Sequence, residues 1–214
     1  MKTLLFFAIS ITAHAFDVTQ VDWSEVKSQV RWLNLTTDSS LLTLSIDNFE
    51  ALKKLKSGAE YPPTKFPPGQ FQATISDYQK NNLETFPLKI SNSSHYTLAT
   101  LGIKPNFFTL TIEELKPSRK GFSKVRIFNA CLDSTIEWKP WLDQQPLQIN
   151  FGKSTEIEFR TEEPPYTFCS IQGKNIQKID LKLNITHQDD RNCLVFIHLD
   201  EIDRTTPKLM LINE

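Results

Sequence analysis

The 214-residue sequence predicts an all-β protein built as two tandem β-sandwich domains. Three observations carry this. Ser28-Gln29-Val30-Arg31-Trp32-Leu33-Asn34-Leu35 returns 95 residues later as Ser123-Lys124-Val125-Arg126-Ile127-Phe128-Asn129-Ala130. Pro67-Pro68-Gly69-Gln70-Phe71 is echoed by Pro164-Pro165-Tyr166-Thr167-Phe168, and Leu88-Lys89-Ile90 by Leu183-Asn184-Ile185, with the offset held between 95 and 97. Within each repeat, short alternating runs are separated by polar or proline-rich turns, and that many one-sided strands need two sheets to bury them.

In the first repeat, Val30–Leu35 and Leu42–Ile46 alternate in the manner of strands. The three-residue apolar spacing of Phe49-Glu50-Ala51-Leu52-Lys53-Lys54-Leu55 predicts one or two helical turns, released at Gly58. Tyr61-Pro62-Pro63 and Phe66-Pro67-Pro68-Gly69 read as rigid connectors. Strands follow at Gln70–Ile75, Leu88–Ile90, His95–Leu101 and Phe107–Ile112. The second repeat runs through Val125–Asn129, Thr135–Trp138, Leu147–Phe151, Ser154–Arg160, Tyr166–Ile171, Ile179–Leu183, Cys193–Ile197 and Lys208–Ile212.

The amino terminus predicts export. Lys2, the apolar run Leu4–Ile9 and the small residues at Ala13 and Ala15 make residues 1–15 a signal peptide. Residues 16–21 then form an N-terminal arm, 22–114 the first sandwich, 115–120 a charged linker able to hinge, and 121–214 the second sandwich. No other stretch is long and apolar enough to span a bilayer. Without residues 1–15 the chain carries 23 Lys or Arg against 25 Asp or Glu, and no basic run exceeds two residues. This balance excludes a nucleic-acid partner, which needs a contiguous basic face.

The opening Val-Arg-x-x-Asn strands (Val30–Leu35 and Val125–Ala130), the proline-introduced strands leading to Leu-x-Ile, and Tyr96-Thr97-Leu98 resemble a bacterial family of secreted tandem immunoglobulin-like domains. That family is best known through the periplasmic accessory protein of alginate O-acetylation. The resemblance implies immunoglobulin-like sandwiches, a periplasmic or secreted location, no cofactor, and noncatalytic assistance to an envelope assembly that modifies an exported polysaccharide.

The residues themselves offer little catalysis. No Gly-x-Ser-x-Gly motif occurs, and beyond residues 1–15 only His95, His187 and His198 could act as bases. No catalytic, cofactor or metal site is predicted. Binding has better candidates: Trp138-Lys139-Pro140-Trp141 places two indoles about a proline, where they either stack on sugar rings or close the end of a core. An acidic polysaccharide and envelope proteins are the expected partners. All three cysteines fall in the second repeat; Cys169 and Cys193 either form a disulfide or, with Cys131, remain buried thiols. The sequons at Asn34, Asn92 and Asn184 support no glycoprotein, since Asn34 and Asn184 fall in predicted strands.

Overall fold

The computed structural model describes residues 21–38, 41–47, 49–116, 119–141, 145–160, 166–174, 176–184, 192–200 and 205–213. Residues 1–15, expected to be a signal peptide, and His187 and Pro164-Pro165 lie outside them. The first repeat supplies β1 (Gln29–Thr36), β2 (Leu42–Ile46), β3 (Phe49–Leu55), β4 (Ala59–Lys65), β5 (Gly69–Asp77), β6 (Asn82–Ile90), β7 (His95–Ile103) and β8 (Asn106–Glu113). The second supplies β9 (Phe122–Asn129), β10 (Ser134–Lys139), β11 (Leu147–Asn150), β12 (Ser154–Arg160), β13 (Tyr166–Gly173), β14 (Ile176–Asn184), β15 (Cys193–Leu199) and β16 (Pro207–Asn213).

These strands form four sheets, β4-β1-β7-β8 and β3-β2-β5-β6 from the first repeat, β12-β9-β15-β16 and β11-β10-β13-β14 from the second. Strand for strand the two orders are identical, so the repeat in sequence is a repeat in topology. In both, the first strand runs parallel to the seventh, β1 to β7 and β9 to β15. An immunoglobulin constant-type sandwich is built from two antiparallel sheets. The sandwich expectation stands, and the parallel pair distinguishes these sheets from the all-antiparallel sheets of the constant type.

Each sandwich encloses one apolar core. Val30 and Trp32 of β1 and Leu98 of β7 meet Leu44, Ile46, Ala73 and Ile75 from the opposite sheet. In the second domain Val125, Ile127, Val195 and Ile197 meet Ile136, Trp138, Cys169 and Ile171. The pairings Leu44↔Ile75 and Ile46↔Ala73 match Ile136↔Ile171 and Trp138↔Cys169, so the structural offset is 96 from β5 to β13 and 92 from β2 to β10. Each core thus holds one fully buried indole, from opposite sheets: Trp32 on β1 is equivalent in place to Ile127 on β9, and Trp138 on β10 to Ile46 on β2. Exchanging a large residue across the core preserves total volume while erasing sequence identity.

A third core lies between the domains. Leu33, Leu35, Ala99, Leu101 and Ile112 project from the outer face of β1, β7 and β8 and pack on Phe128, Ala130, Leu194, Phe196 and Ile212 of β9, β15 and β16. Phe128 and Phe196 stack at 4.7 Å, and Phe108 meets Phe151 edge-on at 5.4 Å. Equivalent strands supply both sides, as in the isologous interface of a two-fold dimer. The four sheets consequently stack in four layers, and β15, buried at every position, faces apolar partners on both sides. The start of the linker is held in place: Leu115 is buried in this interface, and the Asn192 amide donates to the carbonyls of Leu115 and Lys116 at 3.1 and 3.0 Å. At the same junction Gly152 has φ +71°, and a Cβ there would lie 2.9 Å from the Phe108 ring.

The repeated asparagine has a structural reason. Asn34 and Asn129 are fully buried at the ends of β1 and β9. Asn34 Nδ2 donates to the Leu55 carbonyl at 2.8 Å, and its Oδ1 accepts from the Thr36 N–H at 3.2 Å. Asn129 Nδ2 donates to the Ser134 and Ile149 carbonyls, and its Oδ1 accepts from the Cys131 N–H at 2.9 Å. Each amide ties the first strand to the third, in the opposite sheet, and an apolar substitute would strand buried carbonyls at about 1–3 kcal/mol each.

Two local expectations fail. Residues 49–55 are strand, not helix: Leu55, Leu52 and Phe49 pair with Leu42, Leu44 and Ile46, with a register shift between each pair. Extra residues on β3 turn a three-residue spacing into strand pairing. Pro62 and Pro63 are not a connector but sit in β4, where an edge strand tolerates the missing N–H.

At the far end of the first domain the Asp77 carboxylate accepts from the Asn81 side-chain amide, the backbone N–H groups of Gln79 and Asn81, and Lys104 Nζ. The Asn81 amide first, with the other donors, holds its carboxyl down at about 2 against an ordinary 3.8. A depressed carboxyl contributes stability above the unfolded value that vanishes as pH falls through the folded one. The melting-temperature gap between the wild type and Asp77→Asn is therefore expected to be full at neutral pH and to close between about pH 4 and pH 2.

Candidate functional site

The expected indole platform is not on the surface. Trp138, at 0 % exposure, points inward from β10 and tilts against Phe159 at 6.2 Å. As a ligand contact Trp138 is corrected: strand alternation turns it away from solvent, with Lys139 outward. Trp141 follows the proline and is partly buried, its ring 5.3 Å from Phe159, so it covers the end of the core.

The Cys169–Cys193 bridge is likewise corrected, since all three cysteines are buried thiols. Cys169 on β13 and Cys193 on β15 belong to facing sheets of one core. Burial pushes the Cys131 and Cys169 thiols up to about 12, so neither supplies a thiolate at neutral pH.

The histidines are engaged structurally. His95 Nδ1 lies 2.7 Å from Glu114 Oε2, and buried His198 has Nδ1 3.1 Å from the Leu199 carbonyl. Among the described residues no group of three or more His, Cys, Asp or Glu is placed to hold a metal ion. No helix among them is long and apolar enough to cross a membrane.

An exposed aromatic is found one strand away from Trp138. In the register of β10, β13 and β14, Lys139 pairs with Phe168 and Phe168 with Lys182. Cys169 and Ile171 face the core, so Phe168 faces outward, 38 % exposed, with an exposed lysine on either side. The adjoining row on the same face is Gln148, Glu137, Ser170 and Asp180. The face combines one apolar ring with ammonium, carboxylate, hydroxyl and amide groups. Such a face can stack on a sugar ring, pair with its carboxylate and hydrogen-bond its hydroxyls. Pairing Phe168 with Phe71 by the proline echo hides this, because the echo is one residue out of register and Phe71 is a core residue. The alternation Phe168-Cys169-Ser170-Ile171 is the signal that identifies it.

Two other surface features stand out. An open pocket of about 250 Å³ lies at the rim of the interdomain contact, lined by Gln29, Arg31, His95, Thr97 and Asn213 among others. On β16, Leu209 and Leu211 are 40 % and 47 % exposed although their neighbours Ile197 and Val195 face the core. In the first domain the equivalent edge is closed by β6, where Glu84 accepts from the Thr109 N–H at 2.9 Å and its hydroxyl at 2.6 Å.

Fold and site together define an all-β protein of two tandem sandwich domains. The chain belongs to the DUF4397 family, a domain of unknown function, whose model matches residues 28–135, half of the chain, from β1 into β10. No curated protein matches it. Among solved structures it is similar to the CBMbc module (family CBM26) of Eubacterium rectale Amy13K in complex with maltoheptaose. That match has 11 % identity and a TM-score of 0.26, covering 86 % of this chain and 95 % of that one. A second, described as a cell adhesion protein of Bacteroides uniformis, has 9 % identity and a TM-score of 0.29 over 91 % and 99 %. Superpositions this loose fix neither fold nor ligand.

Proposed function

We propose that the protein is an exported, noncatalytic carbohydrate-binding protein, with the outer face of sheet β11-β10-β13-β14 as its binding face and an acidic polysaccharide as its ligand. The observation supporting this reading is the row Lys139, Phe168, Lys182: an exposed ring between two cations on neighbouring strands. The ring offers a stacking surface, the ammonium groups favour a carboxylated sugar, and the adjoining carboxylates and amides accept and donate to hydroxyls. The leader-like residues 1–15 support a periplasmic or secreted location, and the resemblance to the alginate accessory family makes alginate the first probe.

Titration with alginate is expected to show saturable binding that weakens with salt, and roughly two- to tenfold weaker binding for Phe168→Ala. Trp141→Ala should leave affinity unchanged. Undiminished binding by Phe168→Ala, or loss confined to Trp141→Ala, would contradict this site. A second reading, an adaptor for an envelope polysaccharide assembly, is favoured by the exposed Leu209 and Leu211 on edge strand β16, a surface suited to an extended partner segment.

A further inference from the structure

The two copies of the Val-Arg-x-x-Asn strand use their arginines differently. Arg126 places Nε 3.0 Å and Nη2 2.5 Å from the same Glu156 oxygen, so that its fork is taken up by a carboxylate of its own domain. The equivalent Arg31 has Nε 3.0 Å from Glu60 Oε1. Among the described residues its buried Nε has no hydrogen-bond partner of good geometry, and Arg31 lines the 250 Å³ pocket. Gln29 and Thr97 of the first domain add an amide and a hydroxyl, and Asn213 of β16 adds a second amide from the other domain. Glu114, which also lines the pocket, has its Oε2 2.7 Å from His95 Nδ1, and that pairing takes up the one carboxylate on the pocket wall among the described residues.

We propose that this pocket binds a small hydroxylated carboxylate, a sugar acid of monosaccharide size, with the Arg31 fork on the carboxylate and the Gln29, Thr97 and Asn213 groups on hydroxyls. The volume holds roughly eight waters at ~30 Å³ each, room for one sugar unit. A guanidinium fork matches a carboxylate in two parallel bonds, a geometry lysine cannot reproduce. The pocket needs both domains, since Asn213 is on the last strand and Arg31 on the first. It is separate from the Phe168 face and does not rest on the reading given for that face.

Calorimetric titration of the whole protein with glucuronate tests it, with glucose as the neutral control. Glucuronate is expected to bind saturably and glucose not to bind. Arg31→Gln should weaken binding at least ~10-fold and Arg31→Lys should not restore it. Asn213→Ala, at an exposed position, should weaken it without lowering the melting temperature, and carries the test alone if the Arg31 variants do not fold. Arg126→Gln should leave it unchanged. Absence of saturable binding, equal affinity for glucose, or full affinity in Asn213→Ala together with any folded Arg31 variant would overturn the proposal.

Discussion

Trp138→Ala is expected to destabilise the protein by about 3–5 kcal/mol, as removal of a fully buried indole does. The ring lies against Phe159 in the core of the second domain, packed among buried residues of both sheets that cannot grow into the void. Because the loss is of packing, the midpoint of urea unfolding should fall while the slope stays near that of the wild type. A variant with normal stability but lost polysaccharide binding would return Trp138 to the surface role that its place beside Trp141 first suggests.

Phe196→Ala is expected to cost a similar ~3–5 kcal/mol, although Phe196 belongs to neither sandwich core. Its ring is fully buried between the domains and stacked on Phe128. Domains usually move relative to each other unless their interface is large and apolar. Here equivalent strands of both repeats supply apolar side chains, so the interface behaves as a third core. The wild type should therefore unfold in one transition, and Phe196→Ala should lower its midpoint or split it in two. A wild type already unfolding in two independent steps would contradict the stacked arrangement.

The sequence reveals the duplication because Val-Arg-x-x-Asn records three physical demands at once: a core residue, an outward ion pair and a buried amide spanning two strands. It reveals less where one pattern admits two geometries. The three-residue spacing of β3 looks helical until bulges are counted, and the proline echo aligns Phe168 with a core phenylalanine one residue out of step. An indole beside a proline does not declare its face; Trp138 is settled by its register with Cys169. The continuous apolar run of β15 signals burial on both faces, but the second partner is the other domain, which no local pattern names. The Arg31 pocket is the least legible, since it appears only when the first and last strands are brought together.

Amide hydrogen exchange of the whole protein, with and without saturating alginate oligosaccharide, tests the central claim most directly. Exchange in added ligand should slow over β10, β13 and β14, the strands that carry Lys139, Phe168 and Lys182. The remaining strands should exchange as before. Slowing confined to β16, or no slowing at concentrations that saturate binding, would contradict a carbohydrate site on this face.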